Sequence, residues 1–184
     1  EARDYSVNQY QYAGGYDGYV ASYDQTYVQT FTTHKPFNRI SIQAINTVGP
    51  YNQSAFTVRL TDEDGSVVYS NDRFLSGMVD RTNAYEFILD EIVPDGPTVY
   101  TLEIAPGYIK GEDSLEFLSY NTGNWDLYAG GSLTIGGEEQ KNGDLAFAVY
   151  EYEVTTYFSL KQYAILCAGM LLLAAGVTLG VRKT

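Results

Sequence analysis

Apolar residues in this chain recur at every second position, in short runs separated by turn residues. Phe56, Val58 and Leu60 alternate with Thr57, Arg59 and Thr61, and Ile40, Ile42 and Ala44 with Arg39, Ser41 and Gln43. Tyr85, Phe87 and Leu89 alternate with Glu86, Ile88 and Asp90, and Tyr100, Leu102 and Ile104 with Thr101 and Glu103. Leu145, Phe147 and Val149 are separated by the small residues Ala146 and Ala148. Side chains of an extended chain point alternately to opposite faces, so one apolar set at period two marks a half-buried strand. The runs are broken by DEDG, PDGP, APG, GG and NGD, the residues that tight turns require. Seven or more such strands, with no convincing amphipathic helix, predict an all-β fold. We expect an antiparallel jelly-roll-like β-sandwich over residues 27–153. Residues 1–26, dense in Tyr, Gly, Asp and Gln, form a separate N-terminal segment, either a leading strand or an arm.

The end of the chain has a different pattern. Tyr163 to Val181 is 19 residues without a charge, rich in Leu, Ala, Ile and Val. As a helix it would extend roughly 28 Å, close to the hydrocarbon thickness of a bilayer. This predicts one transmembrane helix at 163–181, a juxtamembrane tether at 154–162 and a cytoplasmic tail at 182–184. Arg182 and Lys183 follow the run, which by the positive-inside rule places the C-terminus in the cytoplasm and the preceding domain outside. Membrane lipid is then an expected partner. Gly169, Gly176 and Gly180 fall at spacings that permit a helix–helix contact, although glycine is common in membrane spans generally.

The formal charge is −12, and residues 1–160 hold all 23 acidic side chains against 8 of the 11 basic ones. Nucleic acid is excluded as a partner on that balance, because binding it requires basic patches. The single cysteine, Cys167, lies in the apolar run, so the exported domain is expected to have no disulfide. A cysteine-free exported domain fits a bacterial surface protein better than a small animal ectodomain.

The segments YVQTFTT, FTVRLTDEDGSVVYS, YEFILDEIVPDGPTVYTLEI, LYAGGSLTIGG and GDLAFAVYEYE, in this order, resemble extracellular β-sandwich domains of bacterial cell-envelope membrane proteins. Such domains accompany envelope glycosyltransferases and polysaccharide-assembly proteins. The resemblance implies a surface-exposed, sugar-contacting module whose associated catalytic parts lie elsewhere.

The residues carry no recognisable catalytic constellation. The only histidine, His34, sits in TTHKP, a loop-like context, and no phosphate-cradling glycine motif occurs. Zinc ligation is implausible with one histidine and one cysteine, and Asp62 and Asp64 in TDEDGS read as a hairpin turn more readily than as a calcium loop. No metal and no cofactor are expected. The stretch YNTGNWDLYAGG brings Asn121, Asn124, Trp125, Asp126 and Tyr128 into one short segment. Sugars present apolar C–H faces and hydroxyl rims, so an aromatic plate beside amides and carboxylates suits them. The sequence therefore predicts a membrane-anchored extracellular, non-catalytic binding module contacting envelope carbohydrate at these residues. The alternatives are the ectodomain and span of a larger membrane glycosyltransferase, or a structural or adhesive surface protein that contacts an envelope protein.

Overall fold

The computed structural model describes residues 2–8, 18–20, 25–46, 48–79, 82–108, 115–121, 126, 128–155, 164, 165 and 167. Two antiparallel sheets account for most of them. The larger contains β1 (Ala2–Asn8), β2 (Gly18–Val20), β4 (Phe37–Asn46), β7 (Thr82–Ile92), β9 (Leu115–Asn121), β12 (Gly143–Leu145) and β13 (Phe147–Thr155). The other contains β3 (Tyr27–Thr33), β5 (Ala55–Thr61), β6 (Val67–Leu75), β8 (Thr98–Tyr108), β10 (Leu133–Ile135) and β11 (Glu138–Gln140), in the order β11-β10-β3-β8-β5-β6. Among the described residues the fold is all-β, as the alternation predicts, with two antiparallel sheets of seven and six strands.

The chain divides into two compact units, residues 5–152 and residues 1–4 with 153–184. The first unit carries the sandwich. In the second, helical backbone is described at Ala164, Ile165 and Cys167. The expected transmembrane helix at 163–181 is corrected here: among the described residues no helix is long and apolar enough to cross a membrane. Uncharged length measures how readily a segment leaves water, not how readily it forms a helix. This run contains Gly169, Gly176 and Gly180, the residues expected at a helix–helix contact. The three glycines themselves lie outside the described residues.

The alternating sets expected to face inward do so. Ile40, Ile42, Ala44, Phe56, Val58, Leu60, Phe87, Leu89, Tyr100, Leu102, Ile104, Leu145, Phe147 and Val149 are buried in one core. The sheets meet through aromatic rings. Phe117 of β9 lies edge-on to Tyr27 of β3 and Phe56 of β5, with centroids 5.1 and 5.2 Å apart. Phe74 of β6 meets Phe87 of β7 at 5.2 Å, and Phe37 of β4 meets Tyr100 of β8 at 5.2 Å. Edge-to-face geometry places the positive ring rim against the negative face of its neighbour, which adds to the gain from burial.

Turn chemistry sets the connections. Ile135 pairs with Glu138, leaving Gly136 and Gly137 as a two-residue hairpin loop with φ of 59° and 87°. Positive φ at both positions is the primed turn that matches strand twist, and glycine adopts it without steric cost. In DEDG, Asp62 Oδ1 accepts from the backbone N–H of Asp64 and Ser66 at 3.1 and 2.8 Å, so that carboxylate oxygen serves the hairpin.

A buried asparagine organises one end of the sandwich. Asn46, at the end of β4, donates through Nδ2 to the carbonyls of Gly49, Ser76 and Val79 at 2.8, 3.0 and 3.0 Å. Its Oδ1 accepts from Gly49 N at 3.0 Å and Asn52 Nδ2 at 3.2 Å. One side chain thus ties the 3-10 turn Gly49–Tyr51 to the 3-10 turn Ser76–Met78. Replacing Asn46 by alanine strands several buried backbone groups. We expect a loss of about 3 kcal/mol or more, read as a lower midpoint in urea unfolding with the m-value unchanged.

Candidate functional sites

Two clefts open on the sandwich, with different chemistry. The first lies beside the turns that Asn46 holds. Ala55 of β5 pairs with Tyr108 of β8 on one side and Leu75 of β6 on the other. Cross-strand partners share a face, so a small residue between two large ones leaves a trough. With Gln53, Asp72 and Arg73 on its walls the cleft has a volume of about 610 Å³. Tyr108 is 60% exposed, so much of its ring is open to a ligand. Asn52, at the cleft's edge, is buried and donates its Nδ2 to Asn46 Oδ1 at 3.2 Å. Gly77 permits this arrangement: a Cβ there would lie 2.8 Å from the Asn52 carbonyl oxygen.

The second cleft, of about 390 Å³, is polar. Asp126, Ser132, Glu139, Lys141 and Asn142 are on its walls, with the backbone of Gly131 and Gly143. Beneath it lies a chain of buried polar groups. Gln29, facing inward from β3, is fully buried among apolar neighbours. Its Oε1 accepts from Leu145 N at 2.8 Å, and its Nε2 donates to Asp144 Oδ1 at 3.0 Å and Thr30 O at 2.9 Å. This amide links the two sheets and fixes one oxygen of Asp144. The other oxygen, Oδ2, is buried without a hydrogen-bond partner.

Asp144 is only 4% exposed, and desolvation pushes its pKa up to about 6, aided by the charge of the neighbouring Asp126 and a direct side-chain interaction with it. The Gln29 bond and the Tyr128 backbone act in the opposite direction. The raised pKa lets Asp144 hold a proton at mildly acidic pH.

Of the residues singled out from sequence, Asp126 lines this polar cleft, and its Oδ1 accepts from Tyr128 N at 2.9 Å. Tyr128 is half-buried, with its ring edge-on to Phe147 at 5.8 Å. Its hydroxyl accepts from Thr32 N at 2.9 Å and donates to Thr32 O at 3.3 Å. β10 pairs with β3 only along Tyr27–Gln29, so the phenol continues the ladder where the strand stops. Burial, then the charges of Asp144 and Glu151, hold the Tyr128 pKa above its ordinary value, while the Thr32 bond acts against them. Gly131 allows the same closure, since a Cβ there would fall 1.8 Å from the Thr30 carbonyl oxygen. Asn121 ends β9 opposite Gly143, with its side chain outside the described residues. Asn124 and Trp125 lie outside them entirely. His34 is exposed in the link between β3 and β4. Tyr108, Asp72 and Arg73 were not anticipated; only the exposure of an aromatic at a strand end would have marked them. No protein-family model and no curated protein matches the chain.

Two outcomes follow. Tyr128→Phe removes the bond that satisfies a strand edge and should cost about 1–2 kcal/mol in chemical denaturation. Asp144 has a folded pKa above its unfolded one, so its protonated form favours folding. That contribution is full below about pH 4 and is lost as pH rises through about 6. The loss amounts to about 3 kcal/mol at 1.36 kcal/mol per pKa unit. Asp144→Asn should therefore raise the melting temperature at pH 7.5 and flatten its decline between pH 4 and 6, measured by calorimetry.

Proposed function

We propose that this domain is a non-catalytic, extracellular binding module for cell-envelope carbohydrate, with the ligand seated against Tyr108. The observation that supports this most is a largely exposed tyrosine in a cleft of about 610 Å³ whose walls carry an amide, a carboxylate and a guanidinium from Gln53, Asp72 and Arg73. The ring offers an apolar plate to sugar C–H groups. The rim offers donors and acceptors to the hydroxyls, which fixes orientation. The trough floor at Ala55 allows a flat ring to lie down without displacing a side chain.

A second reading draws on the surroundings of the same cleft. Tyr51 is 81% exposed and Met78 58%, on the two turns bridged by Asn46. Tyrosine and methionine are enriched at protein interfaces, so an envelope protein is the alternative partner.

A glycan array probed with the wild-type domain, followed by titration of the strongest hit, separates these readings. Tyr108→Ala should lower glycan affinity about tenfold or more, the equivalent of about 1.4 kcal/mol of lost stacking, with the melting temperature unchanged. An array without hits, alongside specific capture of one envelope protein that Tyr108→Ala abolishes, would favour the protein interface. Full glycan affinity in Tyr108→Ala and its loss in Trp125→Ala would move the ligand to the 121–128 segment.

A further inference from the structure

A strand that ends a sheet leaves half of its backbone donors and acceptors unpaired, which is a template for a further strand. Among the described residues β6 pairs with β5 alone, β11 with β10 alone and β7 with β4 alone. The first two edges are blunted. β6 shifts register twice against β5, and Asn71 Oδ1 accepts from Arg73 N at 3.1 Å, so a side chain occupies a backbone donor there. β11 is only three residues long. β7 has neither device over most of its length. It runs for 11 residues without proline or lysine and pairs in unbroken register from Ile45↔Thr82 to Arg39↔Ile88, slipping only beyond Ile88. We propose that the outer edge of β7 accepts an extended basic segment of another protein as an added strand. This site is separate from both clefts and independent of the glycan reading.

The side chains of β7 select the partner. Phe87 and Leu89 are buried in the core, and Tyr85 is half-buried against Phe74 of β6, with ring centroids 4.7 Å apart. Glu86, Ile88 and Asp90 are exposed on the opposite face, Ile88 to 68%. Side chains of an added strand stand beside these at cross-strand distance, where opposite charges attract and like charges repel. A lysine or arginine therefore suits the positions facing Glu86 and Asp90, and an aliphatic residue the position facing Ile88. Glu86 is held ready for this contact. Its Oε2 lies 3.1 Å from Arg39 Nη1, and the Arg39 guanidinium is stacked 4.0 Å from the centre of the Tyr150 ring. Glu86 Oε1 takes no part in that ion pair. Every charge on β7 is negative, so a second copy would set an acidic strand against an acidic strand. The formal charge of −12 repels other copies of the chain and draws a basic segment toward it. In strand addition the main-chain hydrogen bonds supply affinity and the alternate side chains supply selectivity.

The test titrates the full chain into a fluorescent peptide of sequence TVKVIVKVT, read by anisotropy at low salt. The peptide TVEVIVEVT should bind at least about tenfold more weakly, because two attractive pairs become repulsive ones. A TVKVIVKVT peptide methylated along its backbone nitrogens keeps both charges and should not bind. Asp90→Lys should weaken binding of the unmodified peptide about fivefold, with the melting temperature unchanged, since the side chain is exposed. Hydrogen exchange locates the contact without relying on any variant: bound peptide should slow exchange at amides of β7 and leave those of β6 and β11 as they were. Equal binding of the methylated peptide would overturn the proposal, leaving a charge attraction with no added strand. Equal binding of the acidic peptide, or protection at β6 instead of β7, would overturn it as well. A homodimer in sedimentation that protects the β7 amides without peptide would assign the edge to a second copy and overturn the basic partner.

Discussion

The edge-on contact of Phe117 with Tyr27 and Phe56 sets how the two sheets face each other. Three large rings from three strands meet at zero exposure and fill the space between the sheets at the close packing of a protein interior. Strand positions on both sheets follow from that spacing. Hydrophobic contact of this kind is permissive about register, however, since apolar side chains of similar volume exchange at modest cost. Register is specified by the polar groups buried beside the aromatic layer. Gln29 requires Asp144 and Leu145 opposite it, Thr33 donates to the buried Glu151, and Asn46 requires the two turns it bonds. A slip of one residue would leave each of these groups unsatisfied, and a lost partner costs a buried polar group more than a formed bond contributes.

Legibility in the sequence followed the same division. Alternation identified the inward faces of β4, β5, β7, β8 and β13, because burial on one side of a strand imposes period two directly. It failed where that cause is absent. β6 is largely exposed on both faces, and β9 has consecutive buried residues at Phe117, Leu118 and Ser119. The apolar C-terminal run is the opposite case, because readiness to leave water does not fix a backbone: among the described residues no helix is long and apolar enough to cross a membrane. Individual side-chain roles were the least legible. The local composition around Tyr128 suits a sugar plate, yet composition does not reveal that its hydroxyl completes a strand edge 96 residues away. Tyr108 looks ordinary in sequence. Its exposure arises from the pairing of β8 with the first residue of β5, a long-range fact.

The two clefts divide the surface chemistry between them. One offers an aromatic plane and a mixed-charge rim, suited to a neutral, hydroxyl-rich ligand. The other is polar, with carboxylates of Asp126 and Glu139 and the ammonium of Lys141 on its walls. Both are built where tight turns meet strand ends, at positions fixed from beneath by a buried amide. Asn46 serves the first and Gln29 the second. A rigid support below an open cleft is the arrangement that lets loops present functional groups without paying for their ordering at each encounter.

Asp144 sharpens that point. Asparagine at this position would keep the bond from Gln29, because an amide oxygen accepts as a carboxylate does. It would also supply a donor toward Asp126 and carry no charge to desolvate. On stability alone the substitution is favourable, by an amount comparable to a tenth or more of what a domain of this size typically has in total. A buried carboxylate held in place by Gln29 at that cost is poorly explained as packing. It makes the stability of this end of the sandwich depend on pH, because the protonated carboxyl is the form that folding favours.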